Sequence, residues 1–191
     1  MKRIIISVTG PTGSGKTSIA CGVLKERPCA FMVQSHTTRD PRPSDLPGEY
    51  SYDTPDEYAH LYMTGSFLWT AKHGSTCYGT TPEVIRSAYE PTEALGIMIL
   101  VPEVIPLLWQ FLGKIGKGAS YKPFFIVPPE RAVLEERLRA RGDKVEEIAL
   151  RLDEAQNWYR DAKLSGIPYT YIRNDGAIET AVNEILKSIP S

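Results

Sequence analysis

The stretch Gly10-Pro11-Thr12-Gly13-Ser14-Gly15-Lys16-Thr17 matches the pattern G-x-x-x-x-G-K-[ST] at every fixed position. Glycines at this spacing let successive backbone N–H groups curl inward around an anion, a path that a Cβ would obstruct. Lys16 stands where one cation can bridge two phosphate groups, and the Thr17 hydroxyl is a hard oxygen ligand suited to Mg²⁺ beside them. The implied chemistry is the holding of a nucleotide polyphosphate, ATP, by Gly10, Thr12, Gly13, Ser14, Gly15, Lys16 and Thr17. A Gly-rich turn that happens to precede Lys-Thr is the competing reading. The context argues against it, because an apolar run leads into the loop and a helical pattern leads out.

Two further groups carry charge in patterns that could act on phosphate. In Ser35-His36-Thr37-Thr38-Arg39-Asp40-Pro41-Arg42-Pro43 the arginines lie three residues apart, one beside a proline-fixed turn. That is a rigid fork suited to a second phosphate, although alone it could equally be a solvated basic loop. The stretch Arg137 to Arg151 contains Arg141-Gly142-Asp143-Lys144 between two helical patterns and reads as a mobile lid, at about residues 139–150. Within Glu130 to Ala140, Glu135, Glu136, Arg137 and Arg139 read as a solvated helix face. Weight therefore falls on Arg141 and Arg151, with Arg137 second. His36, His60 and His73 have no Ser or Asp partner at catalytic spacing and are expected to be structural or surface residues.

These residues need a frame. Ile4-Ile5-Ile6-Ser7-Val8 predicts a strand buried on both faces of a parallel sheet, followed by the glycine turn and a helix over Thr17–Glu26. Ile97–Val101, Phe124–Val127 and Tyr169–Ile172 predict further strands, each leading into a helix. In the last helix, Ala177–Ile189, Ile178, Val182, Ile185 and Leu186 share one face. The alternation implies an α/β fold with a mainly parallel sheet flanked by helices. Ser35 to Tyr89, rich in Thr, Pro, Gly and Tyr, breaks that rhythm and is too long for a connection. It is expected to be an inserted substrate-binding subdomain or a functional loop, at about residues 34–90, between core segments 1–33 and 91–191.

Composition fits one globular domain: 191 residues, 42% of them apolar and 24% charged. A net charge of −1 gives no bulk field for nucleic acid or an anionic membrane. Cys21, Cys29 and Cys77, without C-x-x-C spacing, are expected to be reduced, in a cytoplasmic protein, and not to bind metal. The apolar run after Met1-Lys2-Arg3 is too short for a signal peptide, so an unprocessed soluble chain is expected.

The motif Ser-His-Thr-Thr-Arg-x-Pro-Arg, here Ser35 to Arg42, resembles that of guanylate kinases, and the likeness runs almost end to end. Tyr50, Phe67-Leu68 and Tyr78-Gly79-Thr80-Thr81 follow at nearly the family's spacing. Arg137-Leu138 to Arg141 and Arg151-Leu152 resemble its lid, and Asn174-Asp175 its late Asn-Asp. The resemblance implies a P-loop nucleoside triphosphatase fold and transfer of the γ-phosphoryl group of ATP, with Mg²⁺, to a nucleoside monophosphate. It implies that Arg39, Arg42, Tyr50 and Tyr78 hold the acceptor phosphate, with Ser35 and Thr80 facing the base. Lys16, Arg42, Arg141 and Arg151 would be catalytic, and Asn174 with Asp175 would lie against the adenine. A monomer or homodimer is expected, with no nucleic-acid or membrane partner.

The chain departs from that family where guanine is read. Guanylate kinases usually carry a Glu two residues after the Phe of Phe67-Leu68; here the position is Trp69. Their Leu-Asp-x-Asp at a strand end is replaced around Met98-Ile99-Leu100-Val101-Pro102, and the nearest acid is Glu103. Trp69 could stack on another base, close the pocket against a smaller acceptor, or be core. The loop from Arg42 to Tyr50 and the lid are each one residue shorter than usual. A GMP, dGMP or related (deoxy)nucleotide acceptor remains the leading expectation. The alternatives are a sugar-phosphate kinase, like the related ribose bisphosphate phosphokinases, and a non-catalytic binding module, which the presence of Lys16 and Thr17 disfavours.

Overall fold

Apolar side chains on both sides of an extended segment can be buried only if helices cover both faces of its sheet. In the computed structural model, which describes residues 3–90 and 94–190 and only the backbone of His73 and Ala119, Ile4-Ile5-Ile6-Ser7-Val8 meets that requirement. It lies in β1 (Ile4–Thr9), where Ile5, Ile6, Ser7 and Val8 are fully buried. The chain continues through α1 (Lys16–Glu26), β2 (Ala30–Met32), β3 (Ser35–Thr37), β4 (Tyr50–Tyr52), α2 (Pro55–Met63), β5 (Trp69–His73), β6 (Thr76–Thr80) and α3 (Pro82–Ser87). There follow β7 (Leu95–Ile99), α4 (Ile105–Lys114), β8 (Tyr121–Val127), α5 (Arg131–Ala140), α6 (Val145–Leu164), β9 (Thr170–Arg173) and α7 (Ile178–Ser188).

The main sheet is parallel throughout, in the order β2-β7-β1-β8-β9. Alternation along β1 divides its core. Ile4, Ile6 and Val8 pack with Ile19 and Val23 of α1 and Val182 and Ile185 of α7. Ile5 packs on the other face with Phe125, Ile105, Leu108 and Tyr169. Ser7, buried on that face, is satisfied by a 2.7 Å hydrogen bond with the Tyr121 hydroxyl.

The predicted strands exist, with shifted edges. β7 begins two residues before the expected Ile97 and stops at Ile99, because the chain turns into a 3-10 segment at Pro102–Val104. β8 begins at Tyr121 and carries Pro123 inside it. Pro123 stands opposite Ser7 of β1, whereas the pairing with β9 begins only at Phe124.

Of the two expectations for Ser35 to Tyr89, a subdomain or a loop, the structure shows regular elements. The segment forms a second sheet, β4-β3-β6-β5, in which β3 runs parallel to β4 and antiparallel to β6. Its strands are three to five residues long, below the length at which alternation can be read. α2 did have a legible start: Thr54-Pro55-Asp56-Glu57 closes a reciprocal capping box. The insert boundary placed at residue 91 lies outside the described residues, as do the first two residues and the last.

The expected lid segment is mostly helix. α5 ends at Ala140, where Gly142, at φ 88°, allows Gly142 N–H to reach Arg139 O and Asp143 N–H to reach Leu138 O. This is a left-handed glycine cap, and α6 starts at once at Val145. Leu134 and Leu138 of α5 pack with Ile148, Leu152 and Ala155 of α6 in a small core of their own.

Gly22 marks the closest approach of α1 to α7, since a Cβ there would lie 2.4 Å from Val182 Cγ2. Gly22→Ala should therefore lower stability. Overpacking costs about 1–3 kcal/mol, against a gain of roughly 1 kcal/mol in helix propensity. Urea unfolding is expected to show the loss, and the double variant Gly22→Ala/Val182→Ala to be more stable than the single Gly22→Ala.

Candidate active site

β1 delivers the chain to Gly10, whose Cβ would sit 2.7 Å from Ile126 O, so only glycine lets the loop leave the sheet. Gly15 adopts φ 96° and takes the N-cap position of α1 without a capping side chain. The first-turn N–H groups of α1 are thereby left for an anion, with the positive end of the helix dipole behind them. Lys16 folds back over this loop, its Nζ donating to Gly10 O at 2.7 Å and Pro11 O at 2.9 Å. Burial, and secondarily the charge of Arg141, lower its pKa to about 8.

The loop is braced from behind. Asn174, 6% exposed, donates from Nδ2 to Ser14 O at 2.8 Å, and Arg137 donates to Asn174 O at 2.9 Å. A Cβ on Gly15 would come within 2.1 Å of that amide nitrogen. Asn174, expected against adenine, thus has its side chain engaged with the phosphate loop, and Asp175 stands exposed, 3.6 Å from Arg173. Gly176, Ile178 and Glu179 face the cleft from the same turn and α7, and sequence reasoning did not single them out. Ser14 is also buried, and its hydroxyl has no hydrogen-bond partner among the described residues.

From the loop a cleft of about 2020 Å³ runs to the insert. Thr12, Gly13, Gly15, Lys16 and Thr17 line one end, and Ser35, Arg42, Tyr50, Trp69, Tyr78 and Thr80 the other. Arg141 and Arg151 line it as well. Residues up to about 140 positions apart in sequence therefore share one space, as two aligned phosphates would require.

At the insert end, Arg39 and Arg42 are treated differently by the fold. Arg39 is held by Asp45 in a two-pronged pair at 2.6 and 2.8 Å, with its guanidinium 4.7 Å from the centre of the Tyr50 ring. Asp45 also accepts from the Arg42 N–H and the Tyr52 hydroxyl, both at 2.7 Å. The Arg39 hydrogen bonds hold the Asp45 carboxyl well below its usual range. Arg42 offers its side chain to the cleft. Burial, and then the Glu49 carboxylate, push the Tyr50 hydroxyl far up, so it stays a hydrogen-bond donor. The Tyr58 hydroxyl bonds Tyr78 O at 2.7 Å and fixes that strand. Asp45 and Tyr52 escaped sequence reasoning. The only signal was an acid three residues after Arg42.

Ser35 and Thr80 share a 2.9 Å hydroxyl–hydroxyl bond. Trp69 lies directly across the β5–β6 ladder from Thr80, so the two side chains share a face. Trp69 is 6% exposed, belongs to the buried cluster that contains Leu100, Val104 and Leu108, and also lines the cleft. Glu103 lines the same cleft from the 3-10 turn after β7 and is exposed. His36 is paired with Asp53 at 2.8 Å and set edge-on to Phe67, and His60 is exposed on α2. The side chain of His73 is outside the described part.

On the turn between α5 and α6, Asp143 accepts from Arg141 Nε at 3.0 Å, from Arg141 Nη2 and from Arg151 Nη1. Arg151 Nη2 reaches Glu147 at 2.9 Å. Asp143 was not singled out from the sequence either.

Comparison with known proteins decides which family carries this arrangement. The guanylate kinase family model matches residues 1–191. The chain belongs to the guanylate kinase family. The guanylate kinase of Hahella chejuensis is 33% identical over 186 residues, which cover 95% of this chain and 83% of the relative. That of Escherichia coli K12 is 34% identical over 153 residues, 78% of this chain and 70% of the relative. The crystal structure of guanylate kinase from Anaplasma phagocytophilum shares the fold, with a TM-score of 0.64 at 19% identity over 97% of this chain and 83% of that one. A gluconokinase from Sinorhizobium meliloti shares it more distantly, with a TM-score of 0.52 at 12% identity over 97% and 90% of the two chains. Membership makes the chain an ATP-binding phosphotransferase. Among the described residues, no helix is long and apolar enough to cross a membrane.

The lowered Lys16 pKa gives the site a pH signature. Between pH 8 and 10.5 the unfolded chain holds a proton that the folded Lys16 has lost, so the stability of the empty protein rises with pH across that window. Binding of a polyphosphate favours the charged form, so above pH 8 it must draw in a proton. Affinity for ATP should therefore fall by up to about tenfold per pH unit above that point. Titration calorimetry from pH 7 to 9.5 checks this, and the trend should vanish in Lys16→Met.

Proposed function

We propose that this chain is a cytoplasmic, ATP- and Mg²⁺-dependent nucleoside monophosphate kinase whose acceptor is GMP, dGMP or a related (deoxy)nucleotide, with a relaxed preference for guanine. One observation carries the reading: a single cleft has the phosphate loop at one end and Arg42, Tyr50 and Tyr78 at the other.

In this reading an oxygen of the acceptor phosphate bonds to the γ-phosphorus of ATP. The bond to the β–γ bridging oxygen breaks, and ADP leaves with that electron pair. Lys16 leaves the Gly10 and Pro11 carbonyls for the β- and γ-phosphates, while α1 N–H groups hold the remaining oxygens. Arg42, with the Tyr50 and Tyr78 hydroxyls, orients the acceptor phosphate, and Arg141 with Arg151 offsets charge on the transferring group. The donor set fits Mg²⁺, since Thr17 supplies one hard oxygen and the phosphates supply others. Bound there, Mg²⁺ would neutralise charge on the β- and γ-phosphates.

The relaxed preference follows from the base wall. A buried carboxylate facing guanine N1–H and N2–H₂ provides charge-assisted hydrogen bonds, on the order of 2–3 kcal/mol or roughly a hundredfold in selectivity. At that place the wall presents the largely buried Trp69 beside the Ser35–Thr80 pair. Hydroxyls can both donate and accept, so they discriminate bases less than a carboxylate does. Glu103 is the acid left on this part of the cleft lining, and it is solvated.

Assay of GMP, dGMP, AMP, CMP, UMP, dTMP and ribose phosphates as acceptors tests the proposal. A nucleotide should lead, with GMP favoured over its best competitor by less than about a hundredfold. Trp69→Glu should shift kcat/KM toward GMP. Because Trp69 is buried, the variant will be less stable, but the ratio of two kcat/KM values does not depend on how much protein is folded. A wild-type preference for GMP of a thousandfold would assign guanine reading to Glu103 instead.

Arg42→Ala should raise the acceptor KM by about tenfold or more and lower kcat, with ATP affinity within about twofold of wild type. Equal weakening toward ATP would place Arg42 on the donor side.

A further inference from the structure

The turn between α5 and α6 places one carboxylate between two cations that both face the cleft, in a chain segment with its own small core. We propose that Asp143 is a positioning residue for phosphoryl transfer: its carboxylate holds the Arg141 and Arg151 guanidiniums together as one fork directed at the transferring group. The proposal rests on the roles given above to Arg141 and Arg151.

Two guanidiniums brought to one side of a cleft repel each other, and nothing in a helix–turn–helix segment by itself makes them converge. Asp143 removes that cost. It engages the Nε–Nη2 edge of Arg141 side-on and Nη1 of Arg151, using lone pairs on both carboxylate oxygens. Arg141 therefore meets a phosphate with its Nη1 edge. The Arg151 side chain is further fixed through Nη2 by Glu147, one helical turn earlier.

Asp143 itself is held firmly. Its side chain is 11% exposed, against 48% for Arg141 and 22% for Arg151, so the acid is the buried centre and the arginines its outer arms. The Asp143 N–H bonds Leu138 O in the glycine-closed cap of α5, so its backbone is tied to the helix end. The fork is also tied to the phosphate loop. Leu134 and Leu138 of that helix lie 2.9 and 3.1 Å from where a Cβ on Gly13 would be. Phosphate loop, α5 and fork are thus in continuous contact, and a displaced fork is displaced relative to the γ-phosphate.

An alternative role for the same contacts is a resting counter-ion that merely competes with phosphate. The two roles predict opposite kinetics. A positioning Asp143 makes Asp143→Asn, which keeps shape and loses charge, lower kcat by about tenfold with the ATP KM within about twofold. Asp143→Glu should recover part of that rate. Asp143 acts through both arginines, so in the double variant Asp143→Asn/Arg151→Ala the two losses should combine to less than their product, because only the action on Arg141 is left to lose.

These four variants, assayed for kcat and ATP KM after thermal unfolding has shown each to be folded, make the test. A wild-type kcat in Asp143→Asn overturns the proposal. So does tighter ATP binding at undiminished kcat, which marks a competing counter-ion. Losses that multiply in the double variant also overturn it. A wild-type rate in Arg151→Ala overturns the assignment of the lid arginines themselves, and this proposal with it.

Discussion

Moving a phosphoryl group between two anions demands that several cations converge on a small volume, and before substrate arrives those cations have only each other to face. At 4 Å, two like charges near a protein surface repel by about 4 kcal/mol, comparable to a large fraction of a domain's stability. The fold meets this constraint by giving most of these cations an oxygen to rest on. Lys16 lies on the carbonyls of Gly10 and Pro11, Arg39 on Asp45, Arg137 on Asn174 O, and Arg141 and Arg151 on Asp143. Much of the site's secondary architecture, including the capped turn after α5 and the loop around Asp45, presents those oxygens.

The resting partners differ in kind, and the difference has consequences. Backbone carbonyls carry partial charge, so Lys16 is incompletely compensated, and burial with the nearby Arg141 brings its pKa to about 8. Arg39, Arg141 and Arg151 instead meet full carboxylates. Lys16 is therefore the cation whose protonation a bound polyphosphate can change, and the one that can leave its partners at least cost. Arg39, gripped in two places and stacked on Tyr50, gives a fixed edge against which Tyr50 and Tyr78 are set.

Trp69 joins the two sheets. It belongs by sequence to the insert, yet its ring is counted among the buried residues around Ile105 and Leu108 of the main core. The side chain at the expected base-reading position thus also holds the second sheet against the first. A carboxylate there would have to be buried with partners or lifted into the cleft. A substitution at Trp69 therefore alters the cleft lining and the packing between the sheets together.

The sequence by itself determined the phosphate loop, the strand that feeds it and the parallel alternation of strand and helix. Each rests on local rules: glycine spacing, apolar runs and helical periodicity over ten residues or more. The resemblance at Ser35 to Arg42 and beyond named the acceptor side. Tertiary structure alone decided which charges meet. Asp45 and Asp143 look like ordinary loop acids in the chain, and Asn174, 160 residues from Ser14, gives no local sign that its amide braces the loop. The short strands of the insert were illegible for a related reason. At three to five residues they are specified by their partners across the sheet, whereas Gly142, Thr54 and Lys16 are specified by their immediate neighbours.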